Sequence, residues 1–205
     1  MLLARQLQTA IDNRQDTACI LDVFSNPANF NALTEGLRQN TSHNVNAVIT
    51  WLAHLYNNLF AFKTHNYLEP YFSAFASYVN ERDGSLDVDE LKLLFISPDI
   101  EKQQIPQEHY CIYFLFRHFM KCYKERNIYK YAALILYLYC LESCLESFLA
   151  ASHSSPLSIE ERALVAVSIA KHFEHSAENN MDTLYQLFDD ADMANMDFIM
   201  ELLMV

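Results

Sequence analysis

Glycine is nearly absent from this chain: Gly36 and Gly84 are the only two in 205 residues. Tight turns between strands and loops that wrap phosphates both draw on glycine, because it enters left-handed backbone without strain. With two to place, the chain can build neither a turn-rich sheet protein nor a phosphate loop, and the fold expected is all-α. Positive charge is also scarce. There are 14 Lys and Arg against 26 Asp and Glu, a net charge of −12, which sets aside nucleic acid and anionic membrane as main partners. Lys171 is the last basic residue. Long apolar runs are missing too. The longest, from Tyr131 to Leu141, falls short of the ~20 residues that span a bilayer, and Glu142 and Glu146 close it off, so no transmembrane segment is expected. Cysteines are few: Cys19, Cys111, Cys122, Cys140 and Cys144, an odd number at helical spacing within apolar stretches. They read as free thiols in a reducing compartment. No signal peptide opens the chain, and the expected location is cytoplasmic.

What is present is apolar and helical. Hydrophobic residues make up 52% of the chain, too many for disorder. The organising stretch runs from Gln107 to Ala150 as a helical hairpin. Its first arm spaces Tyr110, Cys111, Phe114, Leu115, His118, Phe119, Cys122 and Tyr123 three and four apart, and its second is apolar all round. The turn falls near Arg126 and Asn127. Leu3, Leu7 and Ile11 mark a first short helix, and Asn26 before Pro27 marks a helix start. Asn66 with Glu69 and Ser158 with Glu161 form capping boxes, and Asn180 opens the last helical stretch. The expectation is a compact bundle of about eight to ten helices around a central buried hairpin. It would be one domain over 1–205, with a subdivision into 1–96 and 107–205 at a loop from Ser97 to Pro106.

Val79 to Glu90 carries the sharpest local pattern. Glu81, Asp83, Asp87 and Glu90 stand third, fifth, ninth and twelfth, with Gly84 sixth and Leu86 eighth. This resembles an EF-hand calcium loop, in which oxygen ligands alternate around a sharp glycine turn and a glutamate closes the site. Val79 stands first, where the family has an acid. On that resemblance the calcium candidates are Glu81, Asp83, Asp87 and Glu90. The other reading is a glycine turn followed by a helix capped by Asp87 and Glu90, and it assigns no metal and no cofactor.

The C-terminus gathers five of the seven methionines, among them Met193, Met196 and Met200, with Phe188 and with Asp189, Asp190 and Asp192. Methionine-rich surfaces adapt to partners. The acidic cluster ahead of an apolar end looks like the secretion signal of type IV effectors from intracellular bacteria. Arg117, Lys121 and Lys124 form a basic face on the hairpin, the natural counterpart of the acidic tail. The partner-binding candidates are therefore Phe188, Met193, Met196, Met200, Arg117, Lys121 and Lys124.

No nucleophile elbow, zinc helix or phosphate loop is present, and no catalytic residue is assigned. His172 and His175 read as surface residues. The function expected is a non-enzymatic interaction module or adaptor with a protein partner, one form of it a bacterial effector that enters a host cell by a signal-peptide-independent route. The alternatives are a divergent EF-hand-type protein binding peptide or calcium, and an all-α enzyme without a recognisable motif.

Overall fold

The computed structural model describes residues 2–39, 45–58, 67–84, 100–174 and 180–203. Among these residues all regular structure is helical. Among the described residues ten helices follow one another: α1 (Leu2–Asp12), α2 (Ala18–Ser25), α3 (Pro27–Gln39), α4 (Val45–Asn57), α5 (Glu69–Glu81), α6 (Ile100–Glu125), α7 (Ile128–His153), α8 (Ile159–Phe173), α9 (Asn180–Asp190) and α10 (Met196–Leu203). The chain is an all-α multi-helix bundle.

α7 is its axis. It packs against α1, α5, α6, α8, α9 and α10. Leu134, Leu138 and Leu145 on it are fully buried, with Tyr137 and Phe148 close behind. This explains why its apolar residues occupy every face: each face meets another helix. By length and composition α7 could cross a membrane. Here it is enclosed by helices. α6 is different. Its inner face buries Phe114 and His118, but Phe116 and Tyr123 are each 76% exposed, and Leu115 and Met120 also reach solvent. One arm of the hairpin is the core; the other lines its edge.

Local rules place several boundaries. Pro27 opens α3, with the Asn26 side chain accepting from the Ala28 N–H at 3.0 Å. Ser158 and Glu161 form the capping box of α8. Asn127 caps α7 by accepting from the Lys130 N–H at 2.9 Å. Two boundaries differ from expectation. α5 begins after Leu68 with Pro70 in its first turn; Asn66 lies outside the described residues. The stretch expected as a loop up to Pro106 is helical from Ile100, and α6 carries Pro106 within it.

The helix ends share one device. Arg14, Asp83, Arg126, Ser154 and Asp192 all have φ between 51° and 56°. Each is followed by an N–H that reaches back five residues: Gln15 to Ala10, Gly84 to Val79, Asn127 to Cys122, Ser155 to Ala150 and Met193 to Phe188. These are left-handed C-terminal stops, usually built on glycine. A chain with two glycines builds them on charged and polar residues instead.

Candidate functional site

The seam where α6, α7 and α8 meet holds charge inside an apolar core. Glu142 and Glu146 are four apart on α7, one helical turn, and both are buried. Arg162 of α8 donates from Nε to Glu146 Oε2 at 3.0 Å. Burial pushes the Glu142 carboxyl up to about 8, the neighbouring Glu146 pushes it further, and Arg162 pulls the other way. Burial also raises Glu146, against the hydrogen bond and charge of Arg162. The seam therefore holds one ion pair and one carboxylic acid that keeps its proton at neutral pH. Tyr110 of α6 is raised by its burial and by the charges of Glu142 and Glu174. Neither its hydroxyl nor Glu142 Oε2 has a hydrogen-bond partner among the described residues.

A second polar unit stands further along α6. His118 Nε2 lies 3.1 Å from Glu174 Oε1, and the Tyr113 hydroxyl donates to Glu174 Oε2 at 3.1 Å. Glu174 is the C-cap residue of α8, and its side chain is almost wholly buried. The His118 ring is near-parallel to the rings of Phe114 and Tyr131, at 5.9 and 5.8 Å between centroids and 7° and 19° between planes. Its Nδ1 has no hydrogen-bond partner among the described residues. His118 lines a groove of about 270 Å³ between α6 and α7, whose walls include Leu115, Cys122, Tyr131, Ile135 and Leu136.

A larger groove of about 680 Å³ lies at the turn of the hairpin, walled by α1, the α6–α7 turn and α9–α10. Asp12, Glu125, Asp197, Arg5 and Arg126 all line it. Lys130 stands beside it, ion-paired to Asp182 and to Glu125. Burial alone would lower the Lys130 pKa, but these two carboxylates outweigh it and raise it.

All five cysteines are free. Burial pushes Cys144 up to about 12 and raises Cys140 as well, so both stay protonated and unreactive.

The residues named from sequence fall elsewhere. Arg117, Lys121 and Lys124 are exposed on α6. Phe188 is fully buried between Trp51, His54 and Tyr137, and Met193 is buried with its carbonyl accepting from the Tyr137 hydroxyl at 2.7 Å. Met196 is half-buried. Met200 lies in α10, with its side chain outside the described residues. Glu81 and Asp83 are exposed; Asp87 and Glu90 lie outside the described residues. His172 is fully buried rather than at the surface. Sequence reasoning left out His118, Glu174 and the buried acid pair. The signals were a histidine on the inward face of α6 and two acids one turn apart in an apolar helix.

Residues 1–202 match a known family, the C-terminal domain of the FliB lysine N-methylase. The chain belongs to that family. No curated protein and no solved structure matches it. The whole-chain match corrects the expectation that no family covers the chain, and it overturns the non-enzymatic adaptor in favour of an enzyme family. It likewise removes the type IV effector and EF-hand readings. Val79 to Glu81 are the last turn of α5, Asp83 is its left-handed stop, and Glu81 pairs with Arg82 at 3.8 Å. In the acidic cluster, Asp189 and Asp190 end α9, and Asp192 is the stop that follows.

Proposed function

We propose that this chain works in lysine N-methylation, as the helical C-terminal domain of a lysine N-methylase, and that the α6–α7 groove receives the lysine. The observation that carries this reading is the family match across residues 1–202. The groove supports it by its chemistry. A lysine side chain is a four-carbon apolar stem with a polar head, and the groove offers aliphatic walls around one buried imidazole. The net charge of −12 favours encounter with a lysine-bearing substrate.

Methyl transfer also takes a methyl donor. Nucleotide-type donors rest on glycine-rich loops at a strand–helix junction. Of the chain's two glycines, Gly36 lies within α3 and Gly84 closes α5. The described residues do not fit a donor site of that kind. The role assigned to this chain stops at the lysine.

The test is genetic. The coding sequence is deleted from its native cell, and N-methyl-lysine is compared across all proteins by mass spectrometry. At least one protein should lose methyl-lysine and regain it on complementation. An unchanged methyl-lysine profile would overturn the reading.

A further inference from the structure

We propose that His118 takes the proton from the lysine ε-ammonium in the α6–α7 groove, with Glu174 as the residue that positions it. This rests on the lysine N-methylase reading above and names the working group of that site. An amine accepts a methyl group only through its free lone pair, and a lysine in water keeps its proton until pH ~10.4. Something in the site must remove that proton. An apolar wall begins the work, because burial disfavours the charged amine. The groove supplies that wall with Leu115, Ile135 and Leu136.

His118 supplies the acceptor. Its Nε2 is engaged by Glu174 Oε1 at 3.1 Å, and a carboxylate only accepts, so Nε2 carries the hydrogen. The lone pair is then on Nδ1. That atom is buried and has no hydrogen-bond partner among the described residues. Nδ1 is closed to solvent as the structure stands, so a ligand meets it only when the groove walls part; an ammonium N–H would then satisfy an acceptor of a kind rarely left without a donor in folded proteins. The Tyr113 hydroxyl holds the far oxygen of Glu174 at 3.1 Å, which fixes the carboxylate. The Phe114 and Tyr131 rings lie near-parallel to the imidazole and help to fix its plane.

The step balances by itself. An N–H bond of the ε-ammonium breaks and an Nδ1–H bond forms. The positive charge moves from lysine to the ring, where the Glu174 carboxylate balances it. The lysine is left as a neutral amine with its lone pair free.

Two measurements test this. The full chain, labelled with nitrogen-15 in its histidines, is titrated with n-butylamine as a stand-in for the lysine side chain and followed by NMR. The Nδ1 resonance of His118 should move, and Leu136→Trp, which fills the groove, should abolish the movement. Shifts at the Leu115 and Leu136 methyl groups with His118 unmoved would overturn the role of His118 and leave the groove as the lysine site. No shift at any groove residue would overturn both placements, while the genetic test of methylation would still stand. In the second arm, extract of the deletion strain is supplemented with purified protein. His118→Gln should form methyl-lysine about a hundred-fold more slowly than wild type, the scale of a lost general base. Glu174→Gln should also slow it and change the His118 ring-nitrogen signals. Wild-type rates with His118→Gln would overturn the proposal.

Discussion

Glu142 shows how far one residue can depart from its appearance in the sequence. As text it ends an apolar run, and an acid there reads as the solvated end of a core helix. In the fold the helix continues for eleven more residues, and Glu142 and Glu146 sit inside it. Sequence could not reveal this because the partner, Arg162, comes from the next helix. The burial has a measurable sign. The folded-state pKa of about 8 lies above the ordinary 4.5. The folded protein therefore holds a proton that the unfolded chain releases, and stability falls as pH rises through that window. Each unit of such a shift corresponds to ~1.4 kcal/mol. Glu142→Gln keeps the shape and removes the proton. Its urea-unfolding free energy should match wild type near pH 4 and exceed it increasingly up to about pH 8. Glu146 is raised too and leaves a residual slope. Parallel pH profiles for the two proteins would show that Glu142 is not held protonated.

Among the elements, helix starts marked by a capping side chain were legible, whereas the starts of α5 and α6 and most left-handed helix ends were not. Starts are announced by side chains that accept backbone N–H groups, as Asn26, Asn127 and Ser158 do. Ends are normally announced by glycine. Here five described helices stop on Arg14, Asp83, Arg126, Ser154 and Asp192, none of which signals a left-handed turn. A non-glycine residue there costs ~1–2 kcal/mol. Arg126→Gly at the α6–α7 turn should therefore raise stability by about 1 kcal/mol, after allowing for the greater freedom of glycine in the unfolded chain. The check is a higher urea midpoint with an unchanged slope. The same turn is held by a side chain 118 residues away. Gln8 Nε2 donates to the Arg126 carbonyl at 3.0 Å, and Gln8 Oε1 accepts from the Ile128 N–H at 2.8 Å. A neutral side chain making both bonds to one turn fixes α1 against the hairpin. Gln8→Ala should cost about 1–3 kcal/mol in the same assay, since it removes two hydrogen bonds and leaves a half-buried N–H without its partner.

At the scale of the molecule, the all-α class and the central place of α7 followed from glycine scarcity and helical periodicity. The way the C-terminal segment closes on the core did not. Its alternation of acids and methionines reads as an adaptable surface, and opposite charge suggested the basic face of α6 as its seat. Packing decided otherwise. α9 lies against α7 and α8, and α10 lies against α4 and α7. Met181, Leu184, Phe188, Met193, Ala194 and Ile199 are all buried there. Phe188 stands 4.6 Å from the Tyr137 ring and 6.1 Å from the ring of Trp51. Surface ion pairs contribute roughly 0–1 kcal/mol each, whereas removing one buried phenylalanine costs about 3–5 kcal/mol. Apolar burial therefore outweighs charge in placing the segment. Phe188→Ala should lower stability by that amount. Trp51 is the only tryptophan and is fully buried, so its emission reports on this contact. A protein cut after Asn180 should lose cooperative unfolding and shift Trp51 emission to the red. A truncated protein that melts as sharply as the full chain, with Trp51 emission unchanged, would mean that the segment is a cover laid over a finished core rather than part of it.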